Sequence, residues 1–397
     1  MSLPLSEGCL HRLVVESGGD CPLRGEKIDF KWKDSAESFK REVSRKLEDI
    51  RDGRKIVFNS YSTTPTIEKL RELGFFVLGA DGNLARKYSN KIFSYNLARE
   101  LGIGVPYGVV ANSFEEAMDN FRNVFSNSED GVFMTAVRGA GGRSAKHLRN
   151  LEEISDFEAS PPFLMTAWER KIASPNSQVL ISRDRVYYLG LSDQIIVRDV
   201  NYFGNIFPSR IDSRSKEEIR KASIKLAEVM RKEGYVGFCG FDWIVTEDGR
   251  VLFSEINARK NRSTSILVAS LEANRPSNRL SISEMELYAS LGMEIGEEDL
   301  WEPDKNICWA MRIFKTYGRA KITKDIDPIY DDRSIFDGRG ARSSVLNFPE
   351  RGTFLPGFDV PHDLARIIAV GSDYEEVERL VEAERERIRE SYMKIRH

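Results

Sequence analysis

The chain has 397 residues, of which 59 are Lys or Arg and 62 are Asp or Glu, for a formal net charge of −3. That length suits two or three domains, and 41% hydrophobic with 10% aromatic residues excludes a disordered chain. The balanced charge gives no overall basic field for coating nucleic acid, and no apolar run reaches the roughly 18–20 residues that span a bilayer. The stretch Met1 to Asp20 lacks the basic and apolar regions of a signal peptide. Cys9, Cys21, Cys239 and Cys308 form no CxxC pair, and His11, His147, His362 and His397 are equally scattered. This fits reduced thiols in a cytosol, and argues against a zinc enzyme and a Ser-His-Asp hydrolase.

In chain order, the charged stretch Lys31 to Arg54 reads as a helix. Lys55–Asn59 predicts a short strand, Thr64-Pro65 opens a helix that stops at Gly74, and Phe75–Leu78 is a second strand, together a small parallel sheet. Ser89 is expected to cap a helix that begins near Lys91. A strand at Val109-Val110, a helix over Ser113–Phe125 and a strand at Val132–Met134 lead to the glycine loop Arg138-Gly-Ala-Gly-Gly-Arg143. A strand near Phe163–Met165 precedes two antiparallel strands, Ser177–Ile181 and Val186–Leu191. Ser215-x-x-Glu218 has the form of a capping box for a long helix ending at Gly234, before strands Val236–Val245 and Arg250–Asn257. Beyond about residue 290 shorter elements are expected, with a Gly/Arg-rich stretch, Asp337–Gly357, and a final amphipathic helix opened by Ser372-x-x-Glu375.

Asp248-Gly249 between two β-rich runs signals a two-residue hairpin. Glu247 then opposes Arg250, and the same register sets Asp242 directly across from Glu255, with Asn257 on the same face. Facing carboxylates repel, and the apolar neighbours Phe241, Trp243, Ile244 and Phe253 sharpen the repulsion. A hard divalent cation such as Mg²⁺ resolves the conflict, with a solvated acidic face as the alternative. Gly139, Gly141 and Gly142, between Arg138 and Arg143, suit a phosphate, although a plain turn has the same composition; the loop matches neither GxGxxG nor GxxxxGK[ST]. Lys91 in a first helical turn opposes the helix dipole, which points to a partner elsewhere.

The order of these pieces, Lys91 before a helix ending in Gly102-Ile-Gly-Val-Pro106, a glycine loop between strands, Asp242, then Ser254-Glu-Ile-Asn-Ala-Arg259, resembles the ATP-grasp superfamily over roughly residues 55–270. The blocks Ser174-Pro-Asn-Ser-Gln-Val179, Asp193-Gln-Ile-Ile196, Tyr202-Phe-Gly204 and Phe207-Pro208 are similar to those of pheganomycin-type peptide ligases, ATP-grasp enzymes that join a carboxylate to an amine. The resemblance implies an α/β (α+β) fold. Residues 1–85 would form an N-terminal region and a pre-ATP-grasp domain, 86–290 the ATP-grasp domain with its lid at about 108–168, and 291–397 a C-terminal α+β extension.

It implies ATP and Mg²⁺ as cofactors. Lys91, Arg138, Gly139, Gly141, Gly142 and Arg143 would bind the nucleotide, and Trp168 and Glu169 would lie in the linker that holds adenine. Asp242, Glu255 and Asn257 would ligate the metal, with Arg259 near the transferred phosphoryl group or the acyl substrate. The implied function is an ATP-dependent carboxylate–amine ligase working through an acyl phosphate on small-molecule substrates in the cytoplasm. A homodimer is left open, and no nucleic-acid or membrane partner is expected. A carboxylase-like enzyme and a nucleotide-binding regulatory relative without turnover are the alternatives. One position departs from the family: the slot that usually holds a Lys before the glycine loop holds Thr135, so Arg138, Arg143 or Lys146 would have to supply the charge.

Overall fold

The computed structural model describes residues 57–63, 65–72, 75–128, 130–139, 144–198, 200–296, 301, 307–326, 335–336, 342–355 and 362–395. The helix expected in 31–54, Cys9 and Cys21, Thr64, Gly74, parts of 337–357, and Gly141, Gly142 and Arg143 of the glycine loop lie outside the described residues.

Val57–Phe58 (β1) and Phe76–Val77 (β2) pair in parallel on either side of the helix Pro65–Glu72 (α1), as the sequence predicts. Two helices follow, Gly82–Tyr88 (α2) and Lys91–Glu100 (α3). Ser89 ends α2, which the sequence reading lacks. Asn90 caps α3, its side chain accepting from the Phe93 N–H at 3.0 Å.

Gly108–Ala111 (β3), Val132–Ala136 (β4), Ala145–Leu148 (β5) and Phe163–Ala167 (β6) form a small antiparallel sheet in the order β3-β6-β4-β5. The amphipathic helix Phe114–Phe125 (α4) covers one face, packing Phe121 and Val124 against Val132, Met134, Phe163 and Met165. Strand alternation leaves Phe133, Thr135 and Thr166 on the other face.

The body is a nine-stranded antiparallel sheet. It contains Lys171–Ala173 (β7), Pro175–Ile181 (β8), Val186–Val197 (β9), Asn201–Phe207 (β10), Gly237–Thr246 (β11), Val251–Asn257 (β12) and Cys308–Thr316 (β13). After Ala320–Ile322 (β14) come Ser343–Leu346 (β15), Phe354–Leu355 (β16), His362–Gly371 (β17) and Tyr392–Lys394 (β18); β15 and β17 join the large sheet, while β14, β16 and β18 form a small sheet of their own. The large sheet runs β12-β11-β8-β9-β10-β13-β17-β15, with β7 beside β11.

Ser213–Lys232 (α5) packs Leu226 and Met230 on one face against Phe241, Trp243 and Phe253. Thr264–Glu272 (α6) and Ile282–Leu291 (α7) cover the other face, with Leu267 and Met285 against Leu180 and Phe238. Tyr374–Arg389 (α8) closes the far end over Ala310, Phe314 and Ile367. Its N-cap is Asp373, accepting from the Glu376 N–H, and that of α5 is Asp212, accepting from the Arg214 and Ser215 N–H groups; of the expected capping serines, Ser372 precedes its cap by one residue and Ser215 follows its cap by three. Asp ranks with Ser as an N-cap, and its charge also suits the helix dipole. Past residue 290 the described strands β14, β15, β16 and β18 are short, as expected, while β13 has 9 residues and β17 has 10. Both bury apolar residues on both faces, so the alternating signal is missing.

The β11–β12 turn corrects one inference and preserves its conclusion. Thr246 N–H donates to Arg250 O and Gly249 N–H to Thr246 O, with Gly249 at φ +81°. This is a three-residue loop with a left-handed glycine, not a two-residue one. Val245 therefore faces Val251, one place off the expected register. A bulge at Ser254 restores it, so Asp242 faces Glu255 and Gly240 faces Asn257.

Candidate active site

Asp242 and Asn257 lie on the face of the large sheet that α6 covers, at the open end of the β11–β12 hairpin. Amides surround the Asp242 carboxylate. Asn176 Nδ2 (2.6 Å) and Gln194 Nε2 (3.0 Å) donate to Oδ1, and Asn257 Nδ2 (2.9 Å) donates to Oδ2. Burial, then the Glu255 charge across the hairpin, push the Asp242 carboxyl well above the ordinary carboxylate range. Burial acts on Glu255 in the same direction. The Lys91 ammonium, 2.9 Å from Glu255 Oε2, together with a hydrogen bond from Asp242, holds Glu255 below its ordinary value instead. The two carboxyls are thus pushed in opposite directions, Asp242 toward its protonated form and Glu255, beside Lys91, toward its charged form.

This supplies the partner that the placement of Lys91 called for. The N-terminus of α3 also docks on the small sheet, where Lys91 N–H donates to Val137 O at 3.0 Å. One residue therefore ties the exit of β4, which leads into the glycine loop, to the acidic pair.

Arg259 follows β12. Its Nη2 donates to Asn257 Oδ1 at 2.7 Å and its Nη1 to the Tyr61 hydroxyl at 2.6 Å, with the guanidinium 5.0 Å from the Tyr61 ring centre. Asn257 is thereby oriented at both ends of its amide, and its oxygen keeps one lone pair for another partner. A buried polar network anchors this loop. Asn261 Nδ2 donates to Asn176 Oδ1 at 3.2 Å, Thr264 Oγ1 to Gln178 Oε1 at 2.6 Å, and Gln178 Nε2 to Ser263 Oγ at 3.0 Å. Gly240 makes room for it, since a Cβ there would lie 1.8 Å from Asn261 Nδ2. Sequence reasoning misses Asn176 and Gln194, because a lone buried amide carries no pattern of its own. Both do lie inside the blocks Ser174–Val179 and Asp193–Ile196.

The remaining expected residues stand apart from this cluster. Arg138 is exposed at the rim of a cleft of about 800 Å³, lined also by Asn90, Phe93, Asn96, Val137 and Pro162, beside α3 and not over Asp242. At Gly139 a Cβ would meet Ser144 Oγ at 1.4 Å, so close packing alone requires a glycine there. Glu169 is ion-paired to Arg250 at 2.8 Å, at the turn end of the hairpin. Trp168 stacks on His147, with ring centres 3.9 Å apart and planes 8° from parallel. Thr135 is buried on β4 opposite Leu164 and Ala145. Lys146 pairs with Met134 on the α4 side of that sheet, where it contacts Glu153 O at 3.1 Å and Asp156 at 3.7 Å, so it does not stand in for the missing lysine.

Among the described residues, no three or more His, Cys, Asp or Glu side chains gather as a metal site. A cation at Asp242 and Glu255 would draw on two carboxylates, the Asn257 amide oxygen and oxygens brought by a ligand, a hard all-oxygen set. Of the described helices, none is long and apolar enough to cross a membrane.

A small antiparallel α/β lid, a large sheet with an acidic hairpin at its edge, and a lysine-bearing helix joining the two make up the ATP-grasp fold, and this chain has it. The biotin carboxylase domain of *Hydrogenobacter thermophilus* 2-oxoglutarate carboxylase superposes with a TM-score of 0.67 at 16% identity, covering 92% of this chain and 80% of that one. The N5-carboxyaminoimidazole synthase of *Aspergillus clavatus* gives 0.59 at 14% identity, covering 86% and 84%. In sequence, the chain is 23% identical over 244 residues to a [butirosin acyl-carrier protein]–L-glutamate ligase of *Niallia circulans*. That match spans 58% of this chain and 58% of the relative, less than two thirds of either. No family model matches the chain.

Proposed function

We propose that the chain is an ATP-dependent ligase that joins a carboxylate to an amine through an acyl phosphate. The observation that carries this reading is the Asp242–Glu255 pair, two facing carboxylates beside Lys91, with Asn257 held ready by Arg259. A structural ion pair has no need of the second carboxylate.

Asp242, Glu255 and the Asn257 oxygen would hold Mg²⁺. The bound cation would screen phosphate charge and polarise the transferred group. Lys91, once Glu255 turns to a cation, is free to meet phosphate oxygens, and Arg259 stabilises charge at the reacting end. A carboxylate alone is a poor electrophile because its leaving group is oxide; phosphorylation replaces that with phosphate, which an amine can displace. The lid sheet, joined to α3 through Val137, is placed to cover the phosphates and keep water from the acyl phosphate. Thr246, opposite Arg250 at the Glu169 end, is four residues from Asp242, about 13 Å along the strand. An elongated nucleotide would be held along the hairpin by Trp168 and Glu169 at its base and by the Asp242 end at its phosphates.

The named ligase relative favours amide formation over carboxylation, since the carboxylase neighbours share only the fold. The test is ADP release by the full chain with Mg·ATP over a panel of carboxylic acids and amines. Release that requires both an acid and an amine is expected. Release stimulated by bicarbonate alone, or none with any pair, contradicts the reading.

A further inference from the structure

Arg366 lies on β17, in register with Ile313 of β13 and Leu346 of β15, on the same face of the large sheet as Asp242. It is 9% exposed, and its Nε has no hydrogen-bond partner. Among the described residues no carboxylate pairs with it. Asp363, three residues earlier on β17, is already shared between Arg262 (2.7 Å) and Lys315 (3.7 Å).

The corner is continuous with the acidic pair. Gln194, which donates to Asp242, is in register with Asn205 on β10. Asn205 accepts from the Tyr202 hydroxyl. The Arg262 guanidinium stands 6.0 Å from the Tyr202 ring centre. Burial holds the Tyr202 phenol well above its ordinary range, so it stays a neutral hydroxyl.

A buried guanidinium without a counter-charge is costly, and a fold that keeps one is suited to an anion that arrives with a ligand. We propose that Arg366, aided by Arg262, binds a second carboxylate of the acid substrate, so that the ligase acts on dicarboxylic acids or acidic amino acids. This rests on the ligase reading above. One carboxylate would face Asp242 and Glu255 to be activated, and the other would sit at Arg366.

The test uses the full chain with Mg·ADP and two probes, glutarate with two carboxylates and butyrate with one, read by thermal shift and titration calorimetry. Glutarate is expected to bind at least about tenfold more tightly than butyrate, the size of one charge-assisted contact. Arg366→Met should abolish that preference, keep the Mg·ADP shift, and melt no lower than wild type without ligand, because an uncompensated buried charge is gone. Arg366→Lys should retain part of the preference. Equal binding of the two probes by wild type, or a preference that survives Arg366→Met, overturns the proposal. If Arg366→Met fails to fold, Arg366→Lys decides: a reduced but surviving preference supports the site, and an unchanged or lost one overturns it. A glutarate preference without any Mg·ADP binding supports the anion site and refutes the nucleotide reading.

Discussion

Glu255→Gln keeps the length of the side chain and removes one of the two facing charges. In the metal-free protein two effects then oppose each other. Lys91 loses an ion pair whose side chains are 16% and 26% exposed, a loss between the surface and buried limits, about 1–2 kcal/mol. Asp242 gains, because the Glu255 charge, which adds to burial in raising its carboxyl, is gone, and each unit by which its elevated pKa falls returns about 1.4 kcal/mol. The net change is expected within about 1 kcal/mol of zero, so the melting temperature moves by a few degrees at most. With Mg·ATP the effects no longer cancel, since a charged ligand has become a neutral one. Turnover should fall by about two orders of magnitude or more. The assays are thermal melts in EDTA and ADP release in Mg·ATP. A metal-free protein destabilised by about 3–5 kcal/mol that turns over ATP at the wild-type rate would refute the reasoning, because that is how a purely structural buried ion pair behaves.

The remaining predictions test the surroundings of the pair. Folded Asp242 keeps a proton that the unfolded chain releases in the ordinary carboxylate range, so metal-free stability should fall as pH rises above that range, by up to about 1.4 kcal/mol per pH unit; melts in EDTA should show this slope and Asp242→Asn should flatten it. Glu255 has the opposite sign, and its contribution is lost only at the acid end, as pH falls through its depressed pKa. Gly240→Ala forces a Cβ against Asn261 and should cost about 1–3 kcal/mol in a denaturant melt, with lower turnover from a displaced Arg259; an unchanged melt would show that the loop gives way freely. Arg138→Ala should weaken Mg·ATP binding about tenfold in calorimetry if the rim arginine replaces the missing lysine. No effect there, with faster turnover in Thr135→Lys, would assign the deficit to position 135.

Much of the fold was legible wherever one face of an element is wet. Helix α4 shows its period in the sequence, whereas the β11–β12 hairpin, covered on both faces, is marked by Asp248-Gly249 at its turn. The β13 and β17 strands show no period, since both of their faces are buried. Three helix starts were misassigned by the same mechanism: Asn90, Asp212 and Asp373 cap, while a nearby serine drew the assignment. The capping box that does exist, Ser281 with Glu284, passed unnoticed. At the site, the facing of Asp242 and Glu255 was readable, but through two compensating departures, a longer turn and a bulge at Ser254. The Lys91–Glu255 contact joins residues 164 positions apart by number and carries no local signal; only the awkward place of a lysine at a helix start hinted at a distant partner.

The central claim is that Asp242 and Glu255 face each other to hold a magnesium nucleotide. Its most direct test is the melting temperature of the full chain with millimolar Mg·ATP, beside ATP in EDTA and beside Asp242→Asn. Binding to the native state alone adds about 2.7 kcal/mol of stability at a hundredfold excess over the dissociation constant. A rise that needs the metal and is lost in Asp242→Asn is predicted. No rise with Mg·ATP, or an equal rise in Asp242→Asn, would contradict the account.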